Sequence, residues 1–190
     1  MLIAQISDHH IVAPGALAYG RIDSAAMLRH AVSVLNELNP QPALVISSGD
    51  LVEHGTLDEY AHLQSIISDL RAPFVPSVGN HDRRDDFREA FGAEAWASSS
   101  PFIQNVRYVG GVQVIVLDTV TEGSGAPSFC LDRAHWLDRI LSASTRPSLL
   151  VTHHPVFPTG IEWMEPEDPD WTEFLSKVVD IHRQRIIGIV

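Results

Sequence analysis

Short runs of apolar residues, each bounded by turn residues, recur along the whole chain. Most are continuous rather than alternating, which is typical of strands buried on both faces of a sheet. The runs predicted as strands are residues 2–6, 43–47, 74–78, 112–117, 148–152 and 186–190. Residues 102–109 alternate instead and are joined to 112–117 by Gly110-Gly111, which predicts a β-hairpin.

Between the predicted strands, apolar residues recur every three or four positions, as in helices with one buried face. The first helix is predicted to begin at the N-cap Ser24. Its buried face would consist of Met27, Ala31, Val34, Leu35 and Leu38. A second helix begins at the capping-box pattern that runs from Thr56 to Glu59, a third contains Leu137 and Leu141, and a fourth begins near Asp170. Strands alternating with helices indicate an α/β fold.

Three stretches lack this periodicity and are predicted as loops. Residues 93–101 and 121–128 are rich in small and turn-forming residues, and either could border a functional site. The longer stretch 155–169 contains Trp163 and Met164, which could line a pocket or shield the core.

Composition narrows the class of protein. With 190 residues, 45% of them hydrophobic, the chain is large enough for one domain, residues 1–190. Its formal net charge of −11 disfavours long nucleic acid as a partner. A single cysteine excludes an intramolecular disulfide and suits a reducing compartment. Because no apolar stretch approaches membrane-spanning length, we expect a cytoplasmic protein without a membrane partner.

Polar side chains follow four of the predicted strands at the point where each strand ends. The four segments are Ser7-Asp8-His9-His10, Ser48-Gly49-Asp50, Gly79-Asn80-His81-Asp82 and Thr152-His153-His154. Because the carboxyl ends of parallel strands meet at one edge of a sheet, these side chains can surround a common point. Asp118-Thr119 follows another strand, where it could form a simple turn or orient a metal-binding side chain by hydrogen bonding to it.

The types of side chain limit the metal that such a site would bind. Carboxylate, imidazole and amide donors without a thiolate suit Mn, Fe, Co or Zn ions. An Asp-x-His or a Gly-Asp pair alone arises by chance in many turns. The ordered set of four segments, each at a strand end, is far more specific.

These segments also carry a resemblance to a known family. Asp8-x-His10, Gly49-Asp50, Gly79-Asn80-His81-Asp82 and His153-x-Pro155 resemble the successive motifs of the calcineurin-like metallophosphoesterases. Tyr19-Gly20-x-Ile22-Asp23, His153-His154-Pro155 and Gly160-Ile161 are similar to the branch containing class III cyclic nucleotide phosphodiesterases and glycerophosphodiesterases. The resemblance covers essentially the whole chain. It implies a sandwich of two mixed β-sheets flanked by helices.

The resemblance further implies a role for each matching residue. Asp8 and His10 would bind a first divalent metal ion, Asn80 and His153 a second, and Asp50 would bridge the two. His81 would contact the substrate phosphate, with Asp82 orienting its ring. The implied activity is hydrolysis of a small phosphodiester, either a 3',5'-cyclic nucleotide or a glycerophosphodiester, by attack of a metal-bound hydroxide on phosphorus.

The sequence departs from the family pattern at its C-terminal end. The family completes its site with Gly-His-x-His after a further strand, and residues 186–190 look like that strand. We therefore expect a C-terminally truncated domain, with one histidine fewer at each metal and apolar surface left for pairing with another copy. The alternatives are a catalytically impaired fragment and a phosphomonoesterase of the same superfamily.

Overall fold

The computed structural model describes residues 1–92, 100–161 and 166–190. Trp163 and Met164, and most of the predicted loop 93–101, lie outside the described residues. The described elements are, in chain order, β1 (Ile3–Ile6), α1 (Ser24–Glu37), β2 (Leu44–Ser47), α2 (Leu57–Ile67), β3 (Phe74–Pro76), α3 (Arg84–Phe91), β4 (Asn105–Val109), β5 (Val112–Val116), α4 (Leu131–Ser142), β6 (Ser148–Val151), α5 (Glu173–His182) and β7 (Ile186–Ile189). No helix among them combines the length and apolar character needed to cross a membrane.

The strands form two sheets. The first has the order β1-β2-β3 and is parallel throughout, because α1 and α2 each return the chain to the starting edge. The second has the order β4-β5-β6-β7 and is mixed, with β4 antiparallel to β5 and the other pairs parallel. The turn between β4 and β5 places Gly110 and Gly111 at φ values of 52° and 88°, which confirms the predicted hairpin.

Three apolar clusters hold the sheets and helices together. The central cluster joins the two sheets face to face and contains Leu44, Ile46, Val75, Val114, Val116 and Val151. A second cluster packs α1, α2 and α3 on the first sheet, around Leu28, Tyr60 and Phe87. A third packs α4 and α5 on the second sheet, around Leu137 and Leu175. This arrangement confirms the expected sandwich of two sheets flanked by helices. Both sheets were expected to be mixed, but the described strands of the first sheet are all parallel.

Helix α1 differs from its prediction in its cap and in its buried face. Asp23 is the N-cap, because its carboxylate accepts a hydrogen bond from the backbone of Ala26 at 2.8 Å. The predicted cap, Ser24, is buried one position later, where its hydroxyl donates to the carbonyl of His10. The buried residues of α1 are Ser24, Ala25, Leu28, Val32 and Leu35. Met27 is 65% exposed. Two apolar stripes run along α1 and share Leu35, which is buried as predicted. Contact with the first sheet buries the stripe that also contains Leu28 and Val32, not the one that contains Met27.

Local sequence signals predicted helix α2 but not helix α3. Helix α2 begins at the capping box formed by Thr56 and Glu59, as predicted. Helix α3 was not predicted, because its eight residues are mostly charged and only Phe87 and Phe91 mark a buried face. Their rings pack against Tyr60 of α2, a contact between residues distant in sequence.

A buried ion-pair network ties the end of β5 to helices α3 and α4. Arg84 donates to both carboxylate oxygens of the fully buried Asp118, at 2.8 and 2.9 Å. The same carboxylate accepts from the backbone N–H groups of Ile103 and Val120, and Arg133 donates to the Asp118 carbonyl at 2.8 Å. Asp118 is therefore an internal anchor for the loop that follows β5, not a simple turn.

Candidate metal centre

The four polar segments meet between the carboxyl ends of the two sheets. Asp8 follows β1, Asp50 follows β2 and Asn80 lies beyond β3, all in the first sheet, whereas His153 follows β6 of the second. Backbone hydrogen bonds hold the first two segments side by side, from Asp8 N–H to the Gly49 carbonyl and from His10 N–H to the Asp50 carbonyl. The geometry of the sandwich thus gathers the predicted ligands.

Asp50 lies at the centre of this group and is 4% exposed. Its Oδ2 atom is 3.6 Å from His10 Nε2, and its Oδ1 atom is 3.5 Å from His153 Nε2. The His153 Nε2 atom is also 3.1 Å from Asn80 Oδ1, and His10 Nε2 is 4.0 Å from Asp8 Oδ1. The structure therefore brings together all five residues for which the family resemblance implies metal binding.

These spacings fit divalent cations. Atoms that share one ion at about 2.1 Å lie roughly 3 to 3.5 Å from one another. One oxygen of Asp50 faces His10 and the other faces His153, which is the arrangement of a carboxylate that bridges two ions. Ligand atoms of Asp8, Asp50 and His153 all lie within 4.8 Å of one another. Oxygen and nitrogen donors without a thiolate suit Mn, Fe, Co or Zn.

The backbone is strained at three of the predicted ligands. Asp8, His10 and Asp50 have φ values of 55°, 44° and 49°, in the left-handed region that residues with a Cβ rarely adopt. Each such residue costs on the order of 1–3 kcal/mol and persists only where the surrounding structure enforces it. Strain of this kind concentrates at functional sites, which is consistent with a metal centre here.

Two glycines permit the close packing of this centre. A Cβ at Gly49 would lie 2.5 Å from Nδ1 of His153, and Gly49 also has a φ of 116°. A Cβ at Gly79 would overlap Oδ1 and the backbone nitrogen of Asp50 and would lie 2.9 Å from its Cγ. Both positions therefore exclude any larger side chain.

Replacing Gly79 with alanine should displace the Asp50 carboxylate. We expect a stability loss of about 1–3 kcal/mol, typical of overpacking a rigid site, together with weaker metal binding. Urea denaturation and a Mn²⁺ titration measure the two effects. Gly188→Ala is the matched control, because its new Cβ would meet only Leu149 at 3.4 Å. Equal behaviour of the two variants would contradict the packing described above.

His81 lies beside the predicted ligands, and its partners differ from the expected ones. Its Nδ1 atom hydrogen-bonds to the carbonyl of Glu53 at 2.8 Å, and its backbone N–H donates to Oδ1 of Asp50 at 2.9 Å. Burial lowers the pKa of His81, but the hydrogen bond to Glu53 and the charges of Asp50, Glu53 and Asp82 outweigh it and raise the pKa above its usual value.

Asp82 does not orient the His81 ring, contrary to the expectation. Its buried carboxylate accepts instead from the backbone N–H groups of Leu51 and Gly79 and from the hydroxyl of Tyr60. Burial raises the pKa of Asp82 to about 7, although all three hydrogen bonds act in the opposite direction. Asp82 therefore fixes the segments next to Asp50 and Asn80, and the interaction that orients His81 comes from Glu53.

The two remaining histidines of the four polar segments, His9 and His154, point away from Asp50. His9 contacts the hydroxyl of Ser47 through Nε2 at 2.8 Å, and burial lowers its pKa to about 4. The Nδ1 atom of His154 lies 2.8 Å from Oγ1 of Thr119. Burial and the neighbouring His153 lower the pKa of His154 to about 4. His153, not His154, faces Asp50.

A pocket of about 640 Å³ opens beside the ligands. Asp8, Asp50, Asn80 and His153 form one part of its wall, and the loop containing residues 124–127 forms another. The predicted loop 121–128 thus borders the site, held at its base by the Asp118 network. A second, more apolar pocket of about 380 Å³ adjoins Asp8 and His10, and the exposed Met27 lines it.

Glu53 is the site residue that the sequence interpretation missed. Its side chain is 11% exposed and contacts His10, and its main chain contacts His81. The available signal was its position three residues after Asp50, in the segment Gly49-Asp50-x-x-Glu53. A glutamate so close to a candidate ligand on a loop can reach the same site.

Comparison with known proteins agrees with this geometry. The family model described as calcineurin-like phosphoesterase matches residues 1–181. A protein of Rhodopseudomonas palustris named as a probable cyclic nucleotide phosphodiesterase is 36% identical over 171 residues, covering 87% of this chain and 61% of the relative. A protein of Arcobacter nitrofigilis named as a probable glycerophosphodiester phosphodiesterase is 31% identical over 166 residues, with the same two coverages.

Solved structures show the same fold at low sequence identity. Purple acid phosphatase from yellow lupin superimposes with a TM-score of 0.62 at 14% identity, covering 95% of this chain and 36% of the phosphatase. The chain spans about three fifths of the length of the two curated relatives described above. Because the family model matches residues 1–181, the chain belongs to the calcineurin-like phosphoesterase family.

Proposed function

We propose that this protein hydrolyses a small phosphodiester at a centre of two divalent cations, drawn from Mn, Fe, Co and Zn. The observation that carries the proposal is the position of Asp50, whose two carboxylate oxygens face the Nε2 atoms of His10 and His153 on opposite sides. Asp8 and His10 would hold one cation, and Asn80 and His153 the other.

The residues of the chain would divide the work as follows. Two bound cations supply Lewis-acid stabilisation of the charge on a phosphoryl group and activate water for in-line attack. Asp50 would hold negative charge between the two positions and would offset the repulsion of the cations. His81 would contact the phosphate as an imidazolium, with Nδ1–H donating to the Glu53 carbonyl and Nε2–H donating to a phosphate oxygen. The raised pKa of His81 favours this doubly protonated form.

The relatives and the pocket support a small substrate. The similar proteins are named for activity on cyclic nucleotides or on glycerophosphodiesters, and both substrates are compact phosphodiesters. The pocket of about 640 Å³ lies within the range of roughly 300–1,000 Å³ that is usual for small ligands. The net charge of −11 opposes binding of long nucleic acid and is compatible with a cytoplasmic enzyme.

Removal and return of metal test this proposal. After treatment with a chelator, the protein should lose hydrolysis of bis(p-nitrophenyl) phosphate, and Mn²⁺ or Co²⁺ should restore it while Na⁺ does not. The monoester p-nitrophenyl phosphate is the matched substrate, and we expect kcat/KM for it to be lower than for the diester. Diester hydrolysis that survives full metal removal would overturn the two-cation proposal, and a preference for the monoester would overturn the substrate class.

A further inference from the structure

We propose that Glu53 is a positioning residue that aligns His10 through its carboxylate and His81 through its main-chain carbonyl. The inference rests on the proposed function, because the aligned rings belong to the candidate metal centre. Glu53 is not among the five predicted metal ligands.

The carboxylate contact is close and buried. Glu53 Oε2 lies 2.8 Å from His10 Nδ1, and the two side chains are 11% and 17% exposed. The ring N–H and the carboxylate are not aligned for an ideal hydrogen bond, and within the described part of the chain neither atom has another hydrogen-bond partner. Since an unpaired buried carboxylate oxygen is costly, these two atoms are each other's available partner.

The main chain of Glu53 is fixed as well. Its N–H donates to the carbonyl of Ile11 at 3.1 Å, next to the bridge between Ile11 and Val52. Its carbonyl then accepts from His81 Nδ1 at 2.8 Å. The rings of His10 and His81 contact each other edge to face, with centroids 4.7 Å apart. One anchored residue therefore sets the orientation of both rings.

This contact selects the nitrogen with which His10 can bind a cation. A neutral imidazole has one N–H group and one lone pair. With the N–H on Nδ1, the atom 2.8 Å from Glu53 Oε2, the lone pair is on Nε2, which is the atom 3.6 Å from Oδ2 of Asp50. A carboxylate behind a histidine ligand fixes the tautomer and strengthens the ligand, and its loss typically weakens metal affinity about 10- to 100-fold.

A different role for the same residues is that His10, Glu53 and His81 themselves hold a cation, since their ligand atoms also lie within 4.8 Å of one another. Two observations disfavour it. The Nδ1 atom of His81 is already engaged with a carbonyl, and binding through Nδ1 of His10 would remove the lone pair from the side facing Asp50. A positioning role for Glu53 leaves the contact of Glu53 with His10, the hydrogen bond of His81 and the Nε2 lone pair of His10 unchanged.

The test is a calorimetric titration of the chelator-treated full chain with Mn²⁺, comparing wild type with Glu53→Leu and Glu53→Gln. We expect Glu53→Leu to weaken one of the bound equivalents about 10- to 100-fold. Glu53→Gln should weaken it less, because its amide oxygen can accept from His10 Nδ1–H and leucine cannot. Glu37→Gln removes a charge from the exposed end of α1 and should change nothing. Thermal melting in chelator reports whether each variant folds.

Nitrogen NMR of the His10 ring gives a readout independent of activity. Wild type should show the tautomer protonated at Nδ1, and Glu53→Leu should show a mixture. Unchanged affinity and tautomer in both variants would overturn the positioning role while leaving the metal centre intact. Loss of a whole equivalent, equal in both variants, would overturn it in favour of Glu53 as a direct ligand. If wild type binds no Mn²⁺, the metal centre itself fails, and the proposed function with it.

Discussion

Replacing Asp50 with alanine is expected to abolish the proposed phosphodiesterase activity, with a fall in kcat/KM of more than about 10³-fold. Removal of one preorganised electrostatic group already costs on the order of 10²–10³ in rate. Asp50 contributes to both halves of the candidate centre, because its oxygens face His10 and His153 separately. Under the proposed function, its loss would remove a ligand from each cation and the negative charge between them.

The assay is hydrolysis of bis(p-nitrophenyl) phosphate at saturating Mn²⁺, with metal content measured on the same samples. Asp50→Asn preserves the shape and one oxygen, so it should retain more metal than Asp50→Ala. Asp69→Ala, which removes an exposed carboxylate just beyond α2, should behave as wild type. Wild-type turnover in Asp50→Ala would show that the chemistry does not depend on a bridging carboxylate.

The second large effect concerns stability rather than chemistry. We expect Asp118→Asn to lower the free energy of unfolding by about 3–5 kcal/mol, because breaking a buried ion pair leaves an uncompensated charge inside the protein. Asp118 is fully buried, and Arg84 binds both of its oxygens. The amide cannot accept both hydrogen bonds from the guanidinium while it also accepts the backbone N–H groups of Ile103 and Val120.

Urea denaturation of Asp118→Asn and of a matched control variant measures the change in the free energy of unfolding. Asp85→Asn is the control, because Asp85 is 98% exposed and pairs with Arg88 on the surface of α3 at 3.3 Å. An exposed pair of this kind contributes about 0–1 kcal/mol. If the two substitutions destabilised the protein equally, the buried network could not be the anchor of the loop that follows β5.

The strands and their polar ends could be predicted from the sequence because their signals are local. A continuous apolar run followed at once by Asp50, or by Asn80 and His81, places the side chain at a strand end without any knowledge of tertiary contacts. The capping box at Thr56 and the Gly110-Gly111 turn are equally local. The sandwich itself followed from the family resemblance, not from the periodicity.

The features that were missed depend on contacts between distant residues. The two apolar stripes of α1 are equivalent until a sheet packs on one of them, so Met27 was expected to be buried and Leu28 is buried instead. Helix α3 is stabilised by the contact of Phe87 with Tyr60 of another helix. The partner of Asp118 lies 34 residues away, at Arg84.

The roles of Asp82 and Glu53 could not be separated by spacing alone. Asp82 follows His81 directly, yet its carboxylate turns inward to Tyr60 and to backbone donors. Glu53 is far from His81 in sequence and supplies the contact that Asp82 was expected to make. Whether a ring meets a neighbouring carboxylate or a distant main-chain carbonyl depends on the path of the backbone, and sequence motifs do not encode that path.

The most direct test of the central claim is a crystal structure of the Mn²⁺-loaded protein with anomalous scattering from manganese. We expect two manganese peaks about 3.5–4 Å apart, the usual spacing of a two-metal site. They should lie on either side of Asp50, one within bonding distance of His10 Nε2 and the other of His153 Nε2. Manganese bound away from Asp50, or no ordered manganese between the two histidines, would contradict it.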